Sequence, residues 1–172
     1  MKENIIQKPN KEDVSSYYWT YITKVDENDL FVALENDLGY CISILQKFAD
    51  KADFRYAPGK WSVKEVLAHI IDSERIFVYR ALRYSRLDST PLSGYDENFY
   101  APNANADNRE LSDMILEFYG VRKSTIDFFK SLDLPMFDRI GTANNTQLSV
   151  RAIGFIVAGH ANHHINVIKE RY

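Results

Sequence analysis

Residues 158–168 read Ala-Gly-His-Ala-Asn-His-His-Ile-Asn-Val-Ile, and this stretch holds three of the four histidines in the chain. If the stretch is helical, His160 and His164 are four residues apart and share one face, close enough to bind a single ion. The same stripe carries apolar residues at helical spacing, namely Ile153, Ile156, Val157, Val167 and Ile168. The two imidazoles are therefore predicted to point into a helical core, where a polar side chain needs a partner.

The fourth histidine, His69, lies on a second segment with helical periodicity. Ser62 with Glu65 three residues later predicts a capping box, and this helix is expected to reach about Arg86. Several polar side chains flank His69 and are candidates to orient its ring: Glu65, Asp72, Ser73 and Arg80. For Asp72 we favour a solvated position, paired with Arg75 or Lys64.

The remaining periodicity predicts two more long helices. One runs from Glu27 to Asp50, and another begins after a capping signal at Asp107 and Glu110 and ends near Leu132. Ser149 is the predicted cap of the histidine helix, which continues to the C-terminus. Residues 87–107 and 133–147 lack periodicity and are predicted to be long crossover connections, the first covering one end of the fold. Four helices of roughly 23 residues predict an all-α four-helix bundle.

The bulk composition is typical of a globular protein. The 172 residues fit a single domain over 1–172, with 1–25 as an N-terminal arm whose aromatic side chains lie on the body. A net charge of −3 indicates no excess of basic residues that would bind nucleic acid. No apolar run approaches the ~18 residues of a membrane span. The polar stretch Met1–Asn10 lacks the apolar segment of a secretory signal. We therefore expect a cytoplasmic protein with a small-molecule substrate, without nucleic-acid or membrane partners.

Three residues inside the apolar stripes need a separate interpretation. Cys41 is the only cysteine, which fits a reducing cytoplasm, and it is predicted to be a buried, inert thiol. Arg122 and Thr125 interrupt the apolar face of the third helix, where they would face either a polar cavity or a solvated edge. Arg80 or Arg122, together with tyrosines, is expected to line the substrate pocket.

The histidines suggest a metal site. Three imidazoles, from His69, His160 and His164, would leave at least one coordination position open, which is typical of catalytic ions. Position 161 is Ala, which argues against a zincin-type protease, because the general base would lie there. His163 lies about 100° around the helix from His164, and it could support the ligands, carry protons or serve only the structure. The competing interpretation is a set of core histidines satisfied by hydrogen bonds.

Two motifs carry a resemblance to a known family. Residues 59–75 read Gly-Lys-Trp-Ser-Val-Lys-Glu-Val-Leu-Ala-His-Ile-Ile-Asp-Ser-Glu-Arg, and residues 158–164 are followed by Ile-Lys-Glu-Arg-Tyr at 168–172. Residues 90–95 and 141–144 also resemble one subgroup. With these motifs, the chain resembles the DinB/YfiT-like family of metal-dependent enzymes over nearly its whole length.

The resemblance implies an up-down-down-up order of the four helices and one divalent ion, often nickel or zinc, on His69, His160 and His164. It also implies a homodimer, and activities that are either hydrolytic or dependent on a low-molecular-weight thiol, such as transfer to bacillithiol or mycothiol-dependent isomerisation. One departure stands out. Ala161 and Asn162 occupy positions where the family pattern has an acidic and a bulkier apolar residue, so any role of that acidic residue is lost.

Three hypotheses about function follow. In the first, the protein is an enzyme whose metal ion activates water or a thiol for attack on a small electrophile. In the second, it is a non-catalytic metal- or ligand-binding stress-response protein that acts as a dimer, which the aromatic arm and the lack of an obvious general base would favour. In the third, the bundle is free of metal and its histidines only pack.

Overall fold

Four long helices form the body of the protein in a computed structural model that describes residues 5–172. The elements in chain order are α1 (Ser16–Ile22), α2 (Leu30–Lys47), α3 (Val63–Ser85), α4 (Glu97–Asn103), α5 (Leu111–Lys130), β1 (Ile140–Ala143), β2 (Thr146–Ser149) and α6 (Val150–Arg171). The predicted all-α four-helix bundle, built from α2, α3, α5 and α6, is confirmed apart from one small hairpin. Residues 1–4 of the predicted arm lie outside the described residues. No helix within 5–172 combines the length and the apolar character needed to cross a membrane.

Local capping chemistry sets where the helices begin. The side chain of Ser62 accepts a hydrogen bond from the Glu65 N–H, and the Glu65 carboxylate accepts one from the Ser62 N–H, which completes the predicted capping box of α3. Ser149 caps α6 by accepting from the Ala152 N–H, also as predicted. The two serines set the first residue of α3, which carries His69, and of α6, which carries the other three histidines.

Two predicted helix starts were wrong. The first long helix begins at Leu30 and not at Glu27, because the Asp29 side chain accepts hydrogen bonds from the backbone N–H groups of Phe31 and Val32. The third begins at Leu111, and Asp107 instead lies in a preceding 3₁₀ turn, where its carboxylate pairs with Arg55 at 3.3 Å. The Asp107–Glu110 capping signal is a short local pattern, and neighbouring polar residues compete for such positions.

Side-chain contacts between the helices establish the up-down-down-up order. Helices α2 and α6 run parallel, since Leu30 lies beside Gly154 and the Tyr40 hydroxyl donates to Asn166 at 2.8 Å further along both. Helices α3 and α5 are also parallel, and α3 runs antiparallel to α6. The contacts that establish these last two directions are Lys64 with the Asp107 and Arg109 carbonyls, Arg122 with Glu74, His69 with His160, and Tyr172 with the Trp61 carbonyl.

The two connections predicted to lack periodicity contain short elements. Residues 87–107 include α4, whose N-terminal Asp96 accepts a hydrogen bond from the Asn98 N–H. Residues 133–147 include most of the antiparallel hairpin β1–β2, whose two turn residues Asn144 and Asn145 have φ of 49° and 57°. Positive φ at both central residues is the backbone of a type I′ turn, which asparagine tolerates. The Asn-Asn pair was thus a hairpin signal that the helical interpretation overlooked.

A polar layer divides the core of the bundle into two apolar clusters. Arg122 is fully buried (0% exposed), and its Nε and Nη2 donate to the Glu74 carboxylate at 2.9 Å. The same guanidinium donates to Asp37 and, at 3.2 Å, to the Leu34 carbonyl. Helices α2, α3 and α5 therefore meet at one cation.

This layer corrects the prediction for Arg122, which faces neither a polar cavity nor a solvated edge and does not line the substrate pocket. The sequence did not reveal its partners because Asp37 and Glu74 lie 85 and 48 residues away. Cys41, by contrast, is buried as predicted. Burial, together with the neighbouring Asp37 carboxylate, raises the pKa of its thiol, so it stays protonated and inert.

We expect Arg122→Met to destabilise the protein by about 3–5 kcal/mol, because it leaves two buried carboxylates without a cation. Urea unfolding followed by circular dichroism measures the change. The matched control is Arg75→Met, since Arg75 is half exposed and pairs with Glu117 at the surface, so its loss should cost at most about 1 kcal/mol. Equal stability of the two variants would contradict the central role of the buried cluster.

Candidate metal centre

Two antiparallel helices bring the three candidate ligands together. His69 lies on α3, while His160 and His164 lie one turn apart on α6. His69 and His160 are buried (7% and 6% exposed), and His164 is half-buried. The structure therefore brings together the histidines that the sequence placed on two separate helices.

The Nε2 atoms of the three histidines form a nearly equilateral triangle. They are 3.1 Å apart between His69 and His160, 3.2 Å between His69 and His164, and 3.2 Å between His160 and His164. A tetrahedral or octahedral ion with metal–nitrogen bonds of about 2.0–2.1 Å separates its nitrogen ligands by about 2.8–3.4 Å. The triangle observed here lies inside that range, so the donor set fits one divalent ion.

Hydrogen bonding within the triangle cannot account for this arrangement. An imidazole Nε2 carries either one proton or one lone pair, both in the plane of the ring. Of three such atoms in mutual contact, at least one pair must oppose two protons or two lone pairs. A shared cation removes that conflict, which argues against the interpretation of hydrogen-bonded core histidines.

The imidazoles are also in the protonation state that metal binding requires. Burial lowers the pKa of His69 to about 4 and that of His164 to about 3, and the neighbouring imidazoles act in the same direction. The pKa of His160, the most enclosed of the three, is lowered as well, with burial as the main cause. At neutral pH all three rings are uncharged, and their nitrogens can bind a cation.

The open side of the triangle faces a cavity of about 370 Å³. All three histidines line it, and aromatic and polar side chains complete the wall: Tyr17, Tyr18, Tyr21, Trp61, Phe77, Arg80, Tyr95, Glu97, Asn98 and Asn144. Burial raises the pKa of Tyr18, Tyr21 and Tyr95, so their hydroxyls stay protonated and can donate hydrogen bonds. A pocket of this size, lined by aromatic rings and many polar groups, suits a small polar organic molecule.

Comparison with known proteins places the chain in a family. The family model of the DinB superfamily matches residues 44–168, a segment that includes all three candidate ligands. The chain belongs to the DinB superfamily. Among solved structures, YfiT from Bacillus subtilis, described as a probable metal-dependent hydrolase with an unusual four-helix bundle topology, aligns with a TM-score of 0.69 at 17% identity, over 95% of this chain and 91% of that one. At that identity the match establishes the fold, and a search of curated proteins gives no match.

The polar neighbours of His69 in this DinB chain have other partners. Glu65 belongs to the capping box, and Asp72 lies 3.8 Å from Arg75, its predicted partner, although it is half-buried and not solvated as predicted. Ser73 is 2.7 Å from the Tyr95 hydroxyl, which fastens the segment before α4 to α3 beside the cavity. Of these candidate orienting groups, none hydrogen-bonds a triad imidazole.

His163 lies outside the triangle and does not line the cavity in front of it. Its ring is 5.7 Å from the Tyr21 ring and 4.9 Å from the His164 ring, measured between centroids. It borders a smaller cavity of about 260 Å³ on the other side of His164. The position is compatible with support of the Tyr21 and His164 rings.

Several residues of the cavity were not predicted individually from the sequence. Trp61, Glu97 and Asn144 come from the start of α3, from α4 and from the hairpin turn, and no local pattern connects them. The tyrosines were anticipated as a class, and Arg80 as one of two arginines. The non-periodic stretch 87–107 could have indicated that its residues line the site, since long ordered connections commonly cover functional sites.

A glycine lets the arm reach the metal centre. Helix α1 packs against α6, and the Tyr21 ring lies 5.2 Å from the His160 ring. A Cβ atom at position 159 would overlap the backbone carbonyl of Tyr21, which has no side-chain freedom to yield. Gly159 is therefore required for the close approach that places Tyr21 over His160.

We expect Gly159→Ala to lower the free energy of unfolding by about 1–3 kcal/mol, because the added methyl group pushes α1 away from α6. Gly120→Ala is the matched control: Gly120 is an exposed glycine within α5 with open space around its Cβ position. That substitution should stabilise the protein by roughly 0.5–1 kcal/mol through helix propensity. Thermal unfolding of both variants tests the assignment, and a stabilised Gly159→Ala protein would refute it.

Proposed function

We propose that this DinB chain is a metal-dependent enzyme that holds one divalent ion, nickel or zinc, on His69, His160 and His164. The observation that carries the proposal is the triangle of Nε2 atoms at 3.1–3.2 Å, which opens onto a cavity of small-molecule size. The reaction we propose is attack on a small electrophile, either hydrolysis or transfer to a low-molecular-weight thiol such as bacillithiol. The description of YfiT as a probable metal-dependent hydrolase supports the first of these.

The surrounding residues have defined tasks in this proposal. A bound divalent ion supplies Lewis acidity, lowering the pKa of a water or thiol to near neutrality or polarising a carbonyl. Trp61 and Tyr21 flank the histidines, with ring centroids 5.0 Å from His69 and 5.2 Å from His160, and they limit the access of bulk water. The tyrosine hydroxyls and the Asn144 amide offer hydrogen bonds that orient the substrate.

The first test is the metal content of the purified, untagged protein. We expect about one ion per chain by elemental analysis, and loss of that ion in both His69→Ala and His164→Ala, since two imidazoles bind a divalent ion far more weakly than three. His163→Ala is the matched control, because His163 is on the same helix but outside the triangle, and it should retain the ion. A wild-type chain that stays free of metal after incubation with zinc and nickel salts would refute the proposal.

The second test separates the two reactions. Metal-loaded protein is assayed for hydrolysis of p-nitrophenyl acetate, and for conjugation of 1-chloro-2,4-dinitrobenzene with and without bacillithiol. We expect one of these activities to fall about a hundredfold or more in His160→Ala and after chelation, because Lewis-acid catalysis contributes several kcal/mol. Activity that survives both treatments would exclude a metal-dependent mechanism.

The same proposal includes a homodimer with a cytoplasmic location, as the family resemblance implies. Light scattering coupled to size exclusion measures the oligomeric state directly. A dimer that holds stoichiometric metal and is inactive towards both classes of electrophile would instead favour the non-catalytic, ligand-binding alternative.

A further inference from the structure

The second buried arginine, Arg80, lies in the same cavity as the histidines. It follows His69 by eleven residues on α3, which places it on nearly the same face of the helix, three turns or about 16 Å along the axis. The Phe77 ring lies between the two groups: its centroid is 5.6 Å from the Arg80 guanidinium carbon and 6.0 Å from the His160 ring. Phe77 therefore contacts both the guanidinium and one of the three candidate ligands.

Among the described residues, the charge of Arg80 has no counterpart. Arg80 is only 3% exposed, yet no carboxylate among residues 5–172 lies within ion-pair distance of it. Arg122, the other deeply buried arginine, pairs with both Asp37 and Glu74. Removing an unpaired cation from water costs several kcal/mol, so an uncompensated guanidinium requires a reason.

The unused donors of Arg80 open into the cavity. Arg80 Nη2 donates a long hydrogen bond, 3.4 Å, to the Ser93 carbonyl, and the Tyr18 hydroxyl lies beside the guanidinium. Among the described residues, the Tyr84 hydroxyl is the only side-chain polar atom that is both sealed from solvent and without a partner. Arg80 Nε and Nη1, which have no partner among these residues, are therefore not sealed, and a group that enters the cavity can reach them.

Glu97 is the one carboxylate in the cavity wall of the described chain, and it does not neutralise Arg80. Its side chain is exposed at the start of α4, and it makes no ion pair with the guanidinium. Glu97 instead adds negative potential near the tyrosines of the arm. The position for a negative charge beside Arg80 is left to a ligand.

We propose that Arg80 binds the anionic group, a carboxylate or a phosphate, of the small molecule on which the metal centre acts. A planar guanidinium with free donors matches such an oxyanion with two parallel hydrogen bonds. Phe77 packs against both the guanidinium and His160, so the substrate class is a small organic anion long enough to extend past this ring from Arg80 to the histidines. The statement that the metal centre acts on this molecule rests on the proposed function. The binding of the anion by Arg80 does not, and it can be tested without metal.

Titration calorimetry on the full chain, in EDTA and again after zinc loading, tests the site with three probes: benzoate, phenyl phosphate and the neutral isostere benzamide. We expect one or both anions to bind in either condition, and benzamide to bind at least about tenfold more weakly, because a charge-assisted bond is lost. Arg80→Met should weaken the anions by about 10–100-fold. The controls are Arg83→Met, which alters an arginine already paired with Asp88 on the same helix, and Glu97→Gln, which should bind anions equally well or more tightly.

The stability of Arg80→Met separates a binding role from a structural one. If Arg80 only supports the fold, the Arg80→Met substitution should lower the melting temperature. If the unpaired guanidinium is kept for a ligand, the substitution should leave the melting temperature unchanged or raise it. The proposal would be overturned if benzoate and benzamide bound equally well, or if neither anion bound. It would also be overturned if His160→Ala abolished anion binding while Arg80→Met left it intact. A chain that binds anions through Arg80 but holds no zinc would refute the proposed enzyme and keep the anion site.

Discussion

The guanidinium of Arg122, held without solvent contact between the carboxylates of Asp37 and Glu74, constrains the whole bundle. Because a buried charge must keep its partners, helices α2, α3 and α5 cannot slide past one another. Helix α6 fills the remaining corner, and its His160 lies at the same level of the bundle. Two apolar clusters flank this level, one on each side.

The candidate metal centre depends on the register of α6 against α3, a helix that this layer holds in place. A helical residue turns by about 100°, so a displacement of α6 by one residue would carry His160 and His164 away from His69. The triangle of nitrogens at 3.1–3.2 Å therefore reports a defined packing of α3 against α6. Gly159 adds to this by letting the carbonyl of Tyr21 approach α6 beside the site.

The two buried arginines show how one residue type serves two purposes. Arg122 pairs with two carboxylates within the fold and stabilises it, while the partners of Arg80 among residues 5–172 are a carbonyl, a hydroxyl and the Phe77 ring at the edge of a cavity. A charge without an internal partner is expensive for the fold, and natural proteins keep such groups at functional sites. The cavity thus combines a cationic end, aromatic walls and an end with three histidines placed to hold a metal.

The sequence by itself determined the four long helices, two of their caps and the pairing of His160 with His164. These features depend on residues within four positions of each other, so local periodicity and capping patterns in the sequence predict them. The closure of the site by Trp61, Glu97 and Asn144 was decided by the tertiary structure, as were the hairpin and the partners of Arg122. Those contacts join residues tens of positions apart, so they arise only when the packing of the helices brings distant side chains to one place.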